Sequence, residues 1–232
     1  IGVNHLSHLK GADKANRFKN IDNVLEVIST AKDLGYGGIM FSTHPHSIDI
    51  LYHLSQDRTL KNGLNVYPNL PYIQKYVTGA NEVGMIGFVL EMVKKGNTRS
   101  LIKASKGVLT KNIYNIIQSL IDIELKSFKN LKMGTVFLHN VLADIIVSLK
   151  LDSILIHYID YIKDNYNVDA GFVTLNVTNL INYLEDLGIE NVTIQAPINR
   201  IGFQMNPNIK SNIDSIENYN GQLGVLASVS DG

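Results

Sequence analysis

The stretch Gly38-Ile-Met-Phe-Ser-Thr-His44-Pro45 decides the fold, because a short apolar strand ends here at a polar residue and a proline. Before it, residues 20–34 place apolar side chains at a 3.6-residue period and stop at Gly35, which predicts an amphipathic helix. After it, residues 47–56 predict a second helix. A strand between two helices is the repeating unit of a parallel sheet.

The same unit recurs along the whole chain of 232 residues. Eight such units close into a (β/α)8 TIM barrel, and about 250 residues are typical of that fold. We therefore expect one α/β domain over residues 1–232. We also expect an enlarged helical connection between strands four and five and a last helix that is missing or truncated. The eight predicted strands are residues 2–7, 38–43, 64–68, 85–91, 133–139, 171–176, 192–195 and 223–230.

Composition narrows the classes of partner. Lys+Arg and Asp+Glu are both 21, so the formal net charge is +0 and no overall field attracts nucleic acid or an anionic membrane. The chain has Cys 0, which fits a reducing compartment. It contains no apolar run of about 18 residues and no glycine fingerprint of a nucleotide cofactor, and we expect no signal peptide. We expect a soluble, cytoplasmic protein with a small-molecule substrate, and an oligomer is possible.

Side-chain alternation predicts which strand residues point into the barrel. Of the two alternating sets of side chains, the apolar one, which includes Ile39 and Phe41, should lie under the helices. We call each set a parity. The other parity is polar and should surround the carboxyl-terminal mouth, where barrel enzymes have their active sites. A self-satisfied polar plug is the alternative interpretation. This predicted ring consists of His5, His44, Tyr67, Glu91, His139, Asn176, Gln195 and Ser230.

Within this ring, Glu91 and His139 end the adjacent predicted strands four and five. A carboxylate beside an imidazole serves acid/base catalysis or a shared metal. Glu91, His139 and Tyr67 are therefore the candidate catalytic residues. With His5 and His44, Glu91 and His139 also make a candidate ligand set for zinc, manganese or iron.

Other polar residues are candidates for binding the substrate. Asn176, Gln195 and Ser230 would orient it at the mouth. The loop residues Lys14 and Arg17, with Arg200 opposite them, would hold a phosphate or a carboxylate. A solvated loop is the alternative for these cations.

Histidines accompany the first predicted strand as His5-Leu-Ser-His8, and Asp231 follows the last one. In this the chain resembles the metal-dependent barrel enzymes, namely the amidohydrolases and the xylose-isomerase-like group. The spacing differs, since amidohydrolases carry His-x-His. The resemblance implies a barrel that uses a divalent metal.

The leading hypothesis is an enzyme that acts on a small polar metabolite, phosphorylated or carboxylated ones included. Isomerase, lyase and hydrolase chemistry, acid/base or metal-assisted, all remain open. The alternative is a non-catalytic barrel that binds another protein through a basic helical tract at residues 94–111.

Overall fold

The computed structural model describes residues 17–73 and 108–227 of the chain. Helices and strands alternate along these two ranges. In chain order they are α1 (Ile21–Asp33), β1 (Gly38–Phe41), α2 (Pro45–Gln56), α3 (Arg58–Gly63), β2 (Asn65–Leu70), α4 (Val108–Leu125), a short 3-10 helix (Lys126–Phe128), β3 (Val136–Leu138), α5 (Asn140–Ser148), α6 (Asp152–Tyr166), β4 (Ala170–Val173), α7 (Val177–Asp186), β5 (Thr193–Ile198), α8 (Ile209–Glu217) and β6 (Gln222–Ala227).

The described strands form one parallel sheet of six strands in the order β1-β2-β3-β4-β5-β6. Every strand thus pairs with its neighbour in the sequence, and a helical segment lies between each pair. The α/β class is confirmed. The prediction of a closed eight-stranded barrel was wrong, because the described residues form a six-stranded parallel sheet in which no pairing joins β6 to β1.

The error arises at the strand predicted over residues 85–91. β2 pairs directly with β3 through Asn69 with Phe137 and Leu70 with Leu138, so no strand lies between them. An apolar run of this length is compatible with a strand and with a buried helix. Only the count of eight strands favours the strand. Residues 85–91, like the strand predicted at 2–7, lie outside the described residues.

The other six predicted strands are confirmed, each with its ends shifted by a few residues. Helices were also predicted well where their period was clear, as in α1, which begins at the Asn20 cap and ends just before Gly35 at a φ of 90°. Within the described ranges, no helix combines the length and the apolar character needed to cross a bilayer.

The helix-covered side of the sheet carries the hydrophobic core. Ile39, Val66, Leu138 and Ile194 are buried in one cluster with side chains from the helices. Tyr158 of α6 joins the two layers, because its hydroxyl donates to the carbonyl oxygen of Val136 at 2.7 Å. For β1, β2, β3 and β5 the predicted apolar parity is the one that faces the helices.

In β4 the predicted parity was wrong. We expected Phe172 to point away from the helices, but it pairs with Leu138 and Ile194 and belongs to the core. Its ring lies 5.6 Å from the ring of Tyr158. β4 is buried along its whole length, so its sequence has no polar and apolar alternation that could fix the register.

The opposite, inner face of the sheet is built around Tyr67. A Cβ atom on Gly38 would lie 2.5 Å from the Tyr67 ring, and one on Gly134 would lie 2.3 Å from it. Tyr67 therefore needs glycine on both sides. The ring of Phe137 lies 6.4 Å away on the same face, and it depends on Gly171 in the same manner. This face is an aromatic surface for which glycines make room.

Candidate functional site

The candidate site lies at the carboxyl end of β2. In a parallel sheet all carboxyl ends share one edge, where α/β proteins bind their ligands. β2 lies between β1 and β3, and His44 and His139 follow those two strands. The site consists of His44, Tyr72, Glu124 and His139, and we call it the β2-end cluster.

The two histidines start helices in the same way. His44 precedes α2, and its Nδ1 accepts a hydrogen bond from the backbone N–H of His46 at 3.3 Å. His139 precedes α5, and its Nδ1 accepts from the N–H of Val141, also at 3.3 Å. Both are N-cap residues, which satisfy backbone donors that the first helical turn leaves unpaired.

This capping bond determines the tautomer of each ring. A ring nitrogen that accepts a hydrogen bond carries no proton, so in the neutral imidazole the proton is on Nε2. Burial lowers the pKa of His139 to about 4, which keeps the ring neutral at physiological pH. The nearby helix N-terminus acts in the same direction, because its partial positive charge opposes protonation. His139 is thus a neutral ring with an N–H donor at Nε2.

The tautomer bears on the predicted metal set of His5, His44, Glu91 and His139. A metal ligand at Nε2 needs a bare nitrogen there and a proton on Nδ1, whereas Nδ1 of His139 faces a backbone N–H. In this conformation His139 does not fit the role of a ligand. His5 and Glu91 lie outside the described residues, and the described part of the chain contains no group of three or more His, Asp or Glu side chains that could hold a metal.

The end of β2 is held from two sides, one for each histidine. The backbone N–H of His139 donates to the carbonyl oxygen of Leu70 at 2.8 Å. The next peptide bond, Leu70–Pro71, is cis. The ring of Tyr72 then meets the His44 ring edge-on, with centroids 5.7 Å apart. Both histidines are therefore tied to one short piece of backbone, residues 70–72.

Glu124 completes the cluster from α4. Its side chain is 1% exposed, and its Oε2 and Oε1 accept from the N–H of Tyr72 at 2.9 Å and 3.2 Å. Burying a carboxylate with a single described donor costs free energy, so the hydrogen bond to Tyr72 is needed to hold this side chain in place. Sequence reasoning missed it. The signal was an acid at a core position of an amphipathic helix, one turn beyond the buried Leu120 and Ile121.

A second, half-buried carboxylate organises the end of β4. Asp144 of α5 accepts from the Thr174 hydroxyl at 2.5 Å and from the N–H of Leu175 at 3.1 Å. Thr174 in turn accepts from the N–H of Asn176 at 2.9 Å. Burial raises the pKa of Asp144, and its two hydrogen bonds oppose that rise. Sequence reasoning missed Asp144 as well, because it lies within an otherwise apolar helix.

The other predicted site residues lie in varied places. Tyr67 is on the inner face, and Asn176 caps α7 by accepting from the N–H of Asn179 at 3.1 Å. Arg17 is exposed with its guanidinium 5.6 Å from the centre of the Phe18 ring, and Arg200 is exposed in the loop after β5. His5, Lys14, Glu91 and Ser230 lie outside the described residues.

Gln195 is on the inner face, in register with Val173. Its Oε1 is buried, and so is Oδ1 of Asn69 on the same face, yet neither atom has a hydrogen-bond partner among the described residues. Buried acceptors in native structures are nearly always paired. These two oxygens are therefore places where a water molecule or a ligand would be held.

Comparison with protein-family models, with curated proteins and with solved structures found no match for this chain. The site is therefore interpreted from its own geometry.

Proposed function

We propose that the protein is an enzyme that binds a small polar metabolite at the carboxyl edge of the sheet, beside the β2-end cluster. The observation that carries the proposal is His139, a neutral imidazole that keeps an N–H donor at Nε2. That nitrogen has no hydrogen-bond partner among the described residues. A neutral donor of this kind polarises a carbonyl oxygen without giving up its proton in the ground state.

The reaction class that fits such a donor is proton transfer next to a carbonyl group, as in an isomerase or a lyase. His139 would donate to the substrate oxygen on which negative charge develops. The N-terminus of α5 would add its partial positive charge to the same site. Glu91 stays the predicted general base, and Lys14 and Arg17 stay predicted partners for an anionic group of the substrate.

Glu124 has a different role in this proposal. It is a positioning residue, because its two carboxylate oxygens accept from the backbone N–H of Tyr72. By fixing residues 70–72 it fixes Leu70, whose carbonyl oxygen accepts from the His139 backbone. Asn69 and Gln195, with their unpaired buried oxygens, would accept hydrogen bonds from substrate hydroxyl groups.

The test is a binding experiment with a panel of small 2-oxo acids and sugar phosphates, followed by NMR of the histidine ring nitrogens. At least one compound is expected to shift the His139 Nε2–H resonance and to leave the ring-nitrogen resonances of His157, an exposed histidine on α6, in place. His139→Asn is the matched variant, since asparagine keeps a helix cap and lacks the imidazole.

His139→Asn should fold normally and lose the binding by at least tenfold. A panel in which no compound perturbs His139, or a His139→Asn variant that binds as well as the parent, would overturn the proposal.

A further inference from the structure

The loop after β5 presents apolar side chains to solvent. Ile201 is 75% exposed and Phe203 is 56% exposed, and Arg200 beside them is exposed as well. We call these three residues the knob. Large apolar side chains that protrude together are typical of contact surfaces and not of an ordinary solvated loop.

The knob is held rigidly by its own loop. The Asn199 side chain donates to the carbonyl oxygen of Phe203 and accepts from its N–H, both at 2.8 Å. Met205 is buried, and the N–H of Asn206 donates to the carbonyl oxygen of Leu175 at 3.0 Å. Because the loop is already ordered, the entropic cost of binding through the knob is low.

A cleft of about 340 Å³ lies at the opposite end of the strands, where the chain enters β5 and β6. Glu185, Ile189, Glu190 and Tyr219 are among its lining residues. The Tyr219 hydroxyl donates to the carbonyl oxygen of Val192 at 2.8 Å, which fixes one wall. The cleft therefore has an acidic rim, formed by Glu185 and Glu190, and an apolar wall, formed by Ile189 and Tyr219.

The two surfaces have opposite charge. The chain carries Arg200 and Lys210 but no acid between Glu190 and Asp214, whereas it carries no lysine or arginine between Lys163 and Arg200. The ion pair found in the described part of the chain joins Lys32 to Asp33, so it uses none of the charges of the knob or the cleft. Opposite, unpaired charges around apolar surfaces favour association.

One molecule cannot bring its own two surfaces together. They lie at opposite ends of β5, whose six residues span about 20 Å at about 3.3 Å per residue. We propose that the knob of one chain docks in the cleft of a second copy, with Phe203 against Ile189 and Tyr219 and with Arg200 beside Glu185 and Glu190. Such a head-to-tail contact closes into a ring or extends into a filament.

The test uses two variants that each remove one side of the contact. Phe203→Asp leaves the cleft intact, and Glu190→Lys leaves the knob intact. Sedimentation of the full chain over a hundredfold range of concentration should show self-association that both variants lose. Mixed together, they should form a dimer with one copy of each and nothing larger, because only one knob and one cleft remain.

Tyr52→Asp is the matched control, since Tyr52 is 64% exposed on α2 and should leave association unchanged. Should Phe203→Asp fail to fold, Ile201→Asp takes its place. A parent chain that stays monomeric over the whole range would overturn the proposal. So would association that survives in the knob variant, or a mixture of the two variants that forms no dimer.

Discussion

Two halves of the sheet begin their helices with different residues. The helices after β1 and β3 are capped by His44 and His139, whereas those after β4 and β5 are capped by Asn176 and Asn208. The asparagine bonds measure 3.1 Å and 2.9 Å, and both histidine bonds measure 3.3 Å. Asparagine is among the strongest caps and histidine is not.

The difference shows that helix capping alone does not account for the histidines. The helices after β4 and β5 have asparagine at the N-cap position, where the side chain serves only to start the helix. At β1 and β3 the chain uses a weaker cap, and the imidazole at His139 keeps a donor at Nε2 after the cap is made. We interpret the histidine half as the functional half of the carboxyl edge and the asparagine half as its scaffold.

The largest expected effect is at the end of β4 in the scaffold half, which Asp144 holds from the neighbouring helix α5. Asp144→Ala removes two hydrogen bonds to a half-buried carboxylate and should lower the free energy of unfolding by about 2 to 3 kcal/mol. Asp144→Asn keeps one acceptor and should lose about half as much. Urea denaturation measures both. The His139 Nε2–H resonance should not move in either variant, and a large movement would show that the two halves are not separate.

The next effect is the pH dependence of stability due to His139. Its pKa is about 4 in the folded state and near the ordinary 6.5 when unfolded. The stability that the neutral His139 ring contributes is therefore present above the pKa of the unfolded state, and it is lost as the pH falls from there through about 4. The loss should reach about 2 kcal/mol, after a discount for partial solvent exposure, at about 1.4 kcal/mol per pKa unit.

His139→Asn isolates this contribution, because it removes the titrating ring and keeps the cap. The raised pKa of Asp144 has the opposite sign and is common to both proteins, so the difference between them belongs to His139. Urea denaturation at several pH values gives that difference. If parent and variant lose stability in parallel between these pKa values, the imidazole is not buried as described.

The smallest effect separates capping from the imidazole itself. His139→Ala should lower the free energy of unfolding by about 1 kcal/mol at neutral pH, since it leaves the first turn of α5 uncapped. His139→Asn should match or exceed the stability of the parent. Asn176→Ala is the comparison from the scaffold half, with a loss of about 1 kcal/mol. Thermal unfolding followed by circular dichroism ranks the three, and an equal loss in both His139 variants would rule out the cap.

The alternation of strands and helices was predictable because its periods are strong in the sequence. Alternation within a strand was informative where polar and apolar residues truly alternate, as around Ile39 and Val66. It failed in β4, where Gly171, Phe172 and Val173 are all buried. Closure of the barrel failed for a related reason, because the apolar run at 85–91 fits a strand or a buried helix equally well.

The histidines at the strand ends were predictable as site candidates, whereas their capping was not. A cap depends on ring orientation, which spacing alone does not give. Glu124 and Asp144 were missed because the residues that they bind, Tyr72 and Thr174, are 52 and 30 positions away. Long-range pairs of this kind leave no local pattern.

The central claim is that His139 is a neutral donor with its proton on Nε2. An NMR titration of the ring nitrogens in the full chain tests it directly. The account predicts an Nε2–H tautomer that persists between about pH 5 and pH 8, with a pKa of about 4. A proton on Nδ1, or a pKa near the ordinary value of about 6.5, would contradict it.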